Sequence, residues 1–119
     1  LLGCETPQVQ GDRLASAQQL AERFACTVVL KGSGTIVTSV GSKPSINPTG
    51  NAALSTAGTG DVLAGWLAGL WSQGLDAADA ALVAAHAHGA AADRWVAESP
   101  SQRARALTAS RLIDLLAAN

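Results

Sequence analysis

There is no methionine and no tyrosine in these 119 residues, and one phenylalanine with three tryptophans makes up the whole aromatic complement. Without an initiator residue, the chain is expected to begin inside a longer polypeptide. So few aromatics, with eight basic and nine acidic residues scattered along the chain, leave neither stacking platforms nor a basic stripe, which argues against nucleic acid as a partner. Long hydrophobic runs are also missing. The longest, Val62 to Trp71, falls short of the roughly 20 residues a membrane helix needs, and no signal-peptide pattern opens the chain. A cytoplasmic protein without membrane contact is expected. Cysteine is sparse: Cys4 and Cys26 lack metal-ligand spacing and are expected to be reduced and structural.

What is present is apolar. A hydrophobic content of 48% against 14% charge supplies the core of one domain. Leu14, Ala17, Leu20, Ala21 and Phe24 recur at helical spacing behind Asp12, predicting an amphipathic helix from about Asp12 to Ala25. Thr27 to Leu30 reads as a buried strand and Lys31 to Gly34 as its turn. Thr35 to Ser39 reads as a second strand, Gly41 to Pro44 as a hairpin turn, and Ser45 and Ile46 as a short partner. Asn47 to Gly60 reads as one long loop. The segment from Gly60 to Gln73 is apolar on most faces, predicting a central, covered helix in which Gly65 and Gly69 pack closely on a neighbour. Asp76 and Asp79 can cap the next helix, with Ala80, Ala84, His88, Ala91 and Trp95 along one face. Pro100 and the Arg103 to Arg105 stretch read as a loop, and Thr108 caps a last helix carrying Leu112, Leu115 and Leu116. Helix, a few strands, then three helices suits the terminal part of an α/β sheet protein.

The chemistry gathers at Gly58-Thr59-Gly60-Asp61. A helix begins with backbone N–H groups that lack intrahelical acceptors and carry partial positive charge, so phosphate is favoured there. Glycines let the backbone come close to a ligand, and Asp61 then stands where phosphate chemistry needs a base. Such a turn is also an ordinary helix cap, so its context matters. That context is a second candidate phosphate loop, Lys31-Gly32-Ser33-Gly34-Thr35, with an ammonium, two glycines and two hydroxyls directly after a strand. It lacks P-loop spacing, and alone it is a hairpin turn. Thr49-Gly50-Asn51 with Ser55 to Gly58 offers further hydroxyls, an amide and backbone donors that could fold over a nucleotide. His86 and His88 lie two apart, on different helix faces, and cannot jointly hold a metal; both read as structural. Asp93 could pair with His86 across two turns, but an exposed helix carboxylate is the simpler account.

Lys31-Gly32-x-Gly34-Thr35, Thr49-Gly50-Asn51 and the run Gly58 to Gly65 together resemble the ADP- or ATP-dependent NAD(P)H-hydrate dehydratases of the ribokinase-like superfamily. His88-Gly89 followed by Asp93 is similar to that family as well. Ala52-Ala53-Leu54 and Ala57-Gly58 depart from it, standing where the family often has Pro-Gly-Met and Gly-Gly. The resemblance implies a ribokinase-like three-layer α/β fold, of which residues 1–119 form the C-terminal part of a single catalytic domain whose N-terminal part is missing. It implies nucleotide contacts from Lys31, Gly32, Ser33, Gly34 and Thr35. Further contacts are implied from Asn51, Ala52, Ala53, Leu54, Ser55, Thr56, Ala57, Gly58, Thr59 and Gly60. Asp61 is the implied catalytic and substrate-binding residue, facing a hydrated NADH or NADPH. ADP or ATP with Mg²⁺ would phosphorylate the ring hydroxyl, and loss of phosphate would restore the coenzyme. A homo-oligomer is expected, and the isolated 119 residues are expected to be inactive. The alternatives are a ribokinase-like kinase for a sugar or hydroxymethylpyrimidine, and a non-catalytic binding or assembly module whose alanine-rich helices form a subunit interface.

Overall fold

The computed structural model describes residues 1–98 and 106–118. The chain opens with a short helix α1 (Thr6–Gly11), which the apolar spacing did not predict; Glu5 and Gln8 hold it in a reciprocal capping box with Pro7 in the first turn. Helix α2 (Arg13–Phe24) follows, capped by Asp12, whose Oδ1 accepts from the Ala15 amide at 2.9 Å. Only Ser16, Ala17 and Ala21 of α2 are buried, while Leu14 and Phe24 stay exposed, so the contact stripe is narrower than the spacing suggested.

Strands β1 (Val28–Leu30), β2 (Ile36–Thr38) and β3 (Ser45–Ile46) form an antiparallel sheet in sequence order, with Val29 opposite Val37 and Ile36 opposite Ile46. β1 is half-buried, whereas every residue of the central β2 is buried. Successive strand residues face opposite sides. Val37 packs with Ala81 and Ala85 on one side, and Ile36 and Thr38 therefore face the side toward α2. The described residues thus stack as helix, sheet and helices.

The expected long loop contains a 3₁₀ turn, Ala52–Ser55, begun by Asn51, whose side chain accepts from the Ala53 amide. Helix α3 (Thr59–Ser72) then runs to Gln73, and α4 (Ala77–Glu98) starts at Asp76. The amides of Asp79 and Ala78 donate to the Asp76 carboxylate, the Asp79 bond above all, and hold its pKa below the usual value. Helix α5 (Ala109–Ala117) is capped by Thr108 as predicted, and Leu112, Leu115 and Leu116 are buried. The predicted loop at Pro100 and Arg103 to Arg105 lies outside the described residues.

The covered, central helix is α4, not α3. Ala80, Ala84, His88, Ala91 and Trp95 are buried along the predicted face, and Ala91 and Trp95 with Ala92, Leu107 and the α5 leucines close the main core. Each fully buried leucine there stabilises the fold by about 1.5–3 kcal/mol. Small alanines let neighbouring elements approach from two sides, which is why the alanine-rich helix takes the middle. In α3 only Thr59 and Leu63 are buried, and Val62 and Trp66 lean on the α4/α5 core. Gly65 and Gly69 meet no neighbour: a Cβ on either would find nothing within 4 Å, so the expected close packing is not made.

Candidate functional site

The antiparallel pairing of β1 with β2 forces the chain to reverse between Leu30 and Ile36, and residues Lys31 to Thr35 make that reversal. Thr35 closes it by accepting from the Gly32 amide at 3.4 Å and donating to the Gly32 carbonyl at 3.2 Å. The turn sits against the start of α3, where a Cβ on Gly60 would lie 3.4 Å from Lys31 Nζ. Gly58 forms the N-cap in a left-handed conformation with φ 84°, and no side chain caps the helix. An ammonium therefore stands beside an uncapped, positively polarised helix end, and among the described residues no carboxylate pairs with Lys31. Two like-signed features held together, with no anion from the protein between them, make an anion-receptive place.

A second wall comes from the segment after β3, which is fastened to α4. Asn47 Nδ2 donates to the Ala85 carbonyl at 3.0 Å, and Thr49 Oγ1 donates to that of His86 at 3.0 Å. Asp93 accepts from the Gly50 amide at 2.9 Å and from Asn51 Nδ2 at 2.8 Å. Asp93 is half-buried and bonded to this segment, so the exposed-carboxylate reading is corrected; its partner is the loop and not His86. Both polar atoms of the Asn51 side chain are thereby engaged within the protein, one with Asp93 and one with Ala53, so Asn51 shapes the wall through its backbone path.

His88 joins the two walls. Its Nε2–H donates to the Thr59 carbonyl at 2.8 Å, since a carbonyl can only accept, and Thr59 Oγ1 donates back to Leu54 O at 2.7 Å and Thr56 O at 2.9 Å. Burial pushes the His88 pKa below its usual 6.5; the bond to Thr59 opposes this and the nearby Lys31 charge adds to it. Histidine in the unfolded chain then takes up a proton more readily than in the fold. This contribution to stability is therefore complete above about pH 6.5 and is lost as pH falls from there through the lower folded value. Thermal melts should show a decline below that pH that is flatter in His88→Gln; equal slopes in both proteins would exclude His88 as the cause.

The two walls enclose a cavity of about 540 Å³. Lys31, Gly32, Ser33, Gly34 and Thr35 line it, as do Asn51, Ala52, Leu54 and Ser55. Of the other residues expected to touch nucleotide, Ala53, Thr56, Ala57, Gly58, Thr59 and Gly60 do not line it. Asp61 does not either: it is exposed on the first turn of α3 and lines a separate, largely apolar cavity of about 580 Å³ with Gly58, Trp66 and Ile113. The tip of α3 thus divides the loops from the carboxylate. Sequence reasoning missed Asn47, Leu63, Ala85, His88 and Gly89 as lining residues. The one available signal was Gly89, which sits in an alanine-rich helix where nothing local calls for glycine.

Residues 1–116 match the family described as NAD(P)H-hydrate dehydratase. The chain belongs to the NAD(P)H-hydrate dehydratase family. It is 47% identical, over 78% of its length, to an ADP-dependent (S)-NAD(P)H-hydrate dehydratase of Neisseria meningitidis. It is 43% identical, over 98% of its length, to a bifunctional NAD(P)H-hydrate repair enzyme of Moorella thermoacetica. It spans 31% and 21% of those two proteins. A Bacillus subtilis ADP/ATP-dependent NAD(P)H-hydrate dehydratase co-crystallised with ATP/Mg²⁺ superposes with a TM-score of 0.87 at 35% identity, covering 98% of this chain and 41% of that one. The α/β architecture of this chain is therefore part of the carbohydrate-kinase-like fold. No helix among its described residues is long and apolar enough to cross a membrane.

Proposed function

We propose that this chain carries the nucleotide cradle and the catalytic carboxylate for ADP- or ATP-dependent dehydration of hydrated NADH or NADPH. The observation that carries the reading is Lys31 Nζ beside the uncapped start of α3, whose first turn holds Asp61. The names of the Neisseria and Bacillus relatives support the reaction and the nucleotide. In this reading residues 31–35 and 51–60 hold ADP or ATP, and Asp61 meets the substrate.

The nucleotide supplies a phosphoryl group, which turns hydroxide, a poor leaving group, into phosphate. Asp61 takes the proton of the ring hydroxyl from its position in the first turn of α3. The amides of Gly60 and Asp61 and the Lys31 ammonium offset charge on the moving group. Loss of phosphate and of a ring proton restores the dihydronicotinamide. Among the described residues no three His, Cys, Asp or Glu side chains cluster around a metal position; Mg²⁺ accompanying the nucleotide would supply charge neutralisation at the phosphates. A cytoplasmic homo-oligomer belongs to the same reading; Ile46 and Leu82, exposed and lining one surface pocket, suit assembly.

The test is recovery of dihydronicotinamide absorbance from hydrated NADH by the complete enzyme, with and without ADP or ATP and Mg²⁺. Nucleotide-dependent recovery with release of phosphate is expected. Recovery that ignores nucleotide would overturn the reading, as would a stable phosphorylated alcohol formed from a sugar or hydroxymethylpyrimidine.

A further inference from the structure

We infer that Arg13 is a positioning residue for the nucleotide turn, holding it from behind and fixing the direction of the Gly34 amide. This rests on reading residues 31–35 as a nucleotide contact. Arg13 is the first residue of α2, and its side chain crosses to the turn, where Nη1 donates to the Ser33 carbonyl at 2.6 Å and Nη2 donates to the Leu30 carbonyl at 3.1 Å. One rigid fork thus grips the turn at its root and near its tip. Every peptide bond in the described chain is trans, and in a trans peptide the C=O and the following N–H point in opposite directions. With the Ser33 carbonyl drawn toward Arg13, the Gly34 N–H is turned away from it. Arg13 is not among the residues lining the cavity, whereas Ser33 and Gly34 are. The Gly34 amide, for which the described residues offer no backbone acceptor, is thereby presented on the cavity side.

Gly32 lies against the same side chain: a Cβ there would stand 2.6 Å from Arg13 Nη2 and 3.0 Å from Cζ, and its φ of 153° is one that L side chains rarely adopt. Arg13 Nε is buried without a partner, a cost that a freely solvated arginine would avoid.

The test compares Arg13→Ala and Arg13→Lys with the unsubstituted complete enzyme, using calorimetric titration with ADP and ATP, steady-state kinetics, and amide hydrogen exchange over residues 31–35. Arg13→Ala should weaken nucleotide binding by about 10–100-fold, the size expected for losing a charge-assisted pair of bonds. Turnover at saturating nucleotide should be nearly kept, and faster exchange should be confined to the turn. Arg13→Lys keeps the charge without the fork and should recover only part of the affinity. Full recovery by lysine would assign the effect to charge and overturn the inference, as would unchanged affinity in Arg13→Ala or faster exchange throughout the chain. If Arg13→Ala does not fold, the lysine variant alone decides. Failure of the unsubstituted chain to bind either nucleotide would remove the underlying reading, and this inference with it.

Discussion

Asp61→Asn is expected to lower turnover by about 10²–10⁴-fold, the range that a general base contributes, while nucleotide affinity stays close to that of the unsubstituted protein. The two effects separate because of where Asp61 lies. It is on the far side of the α3 tip from the cavity lined by Lys31 to Thr35, Asn51, Ala52, Leu54 and Ser55, and its side chain holds up neither wall. Asparagine matches its shape and can still accept a hydrogen bond, but it cannot take a proton. Losing a first-turn carboxylate also costs α3 about 0.3–1 kcal/mol of helix-end stabilisation, a small shift in melting temperature that does not resemble a loss of turnover. Measuring kcat with hydrated NADH alongside calorimetric ADP binding reads both quantities. Turnover near the unsubstituted value would take the base role from Asp61, and equal loss of binding and turnover would make it a structural cap.

Gly89→Ala is expected to damage the site from behind. The added Cβ would stand 2.6 Å from the carbonyl carbon and 2.7 Å from the carbonyl oxygen of Thr49, both backbone atoms, so no side-chain rotation relieves the clash. Either α4 bends or the Asn47 to Asn51 segment lifts, and lifting breaks the bonds from Asn47 to Ala85 and from Thr49 to His86. Overpacking of this kind costs about 1–3 kcal/mol. Because the lifted segment is a cavity wall, nucleotide affinity should fall together with stability, and denaturant midpoints measured beside ADP titrations would show the coupled loss. Alanine is otherwise the better helix residue by about 1 kcal/mol, so an unchanged or more stable Gly89→Ala protein would mean that the close approach is not rigid.

The core face of α4 was legible in the sequence because five residues at helical spacing, Ala80, Ala84, His88, Ala91 and Trp95, encode one face of one helix. Thr108 and Asp76 were legible as caps for a similar reason, since capping is decided within four residues of chain. The central place assigned to α3 failed because composition tells how apolar a helix is and not which neighbour has the smaller side chains. The packing assigned to Gly65 and Gly69 failed in the same way: glycine spacing permits a close neighbour but does not supply one.

At the site, the sequence by itself determined the chemistry on offer: a lysine-glycine turn after a strand, a glycine turn starting a helix, and a carboxylate in that helix's first turn. Tertiary structure alone decided how these are held and divided. It brought Lys31 to Gly60, set Asp93 under Gly50 across 43 residues, reached Arg13 to Ser33 across 20, and put Asp61 in a different cavity from the loops. The physical reason is one of range. Propensity, capping and turn geometry act between residues a few positions apart, whereas the direction of a guanidinium fork or the gap left by a missing Cβ is fixed only when distant segments pack against each other.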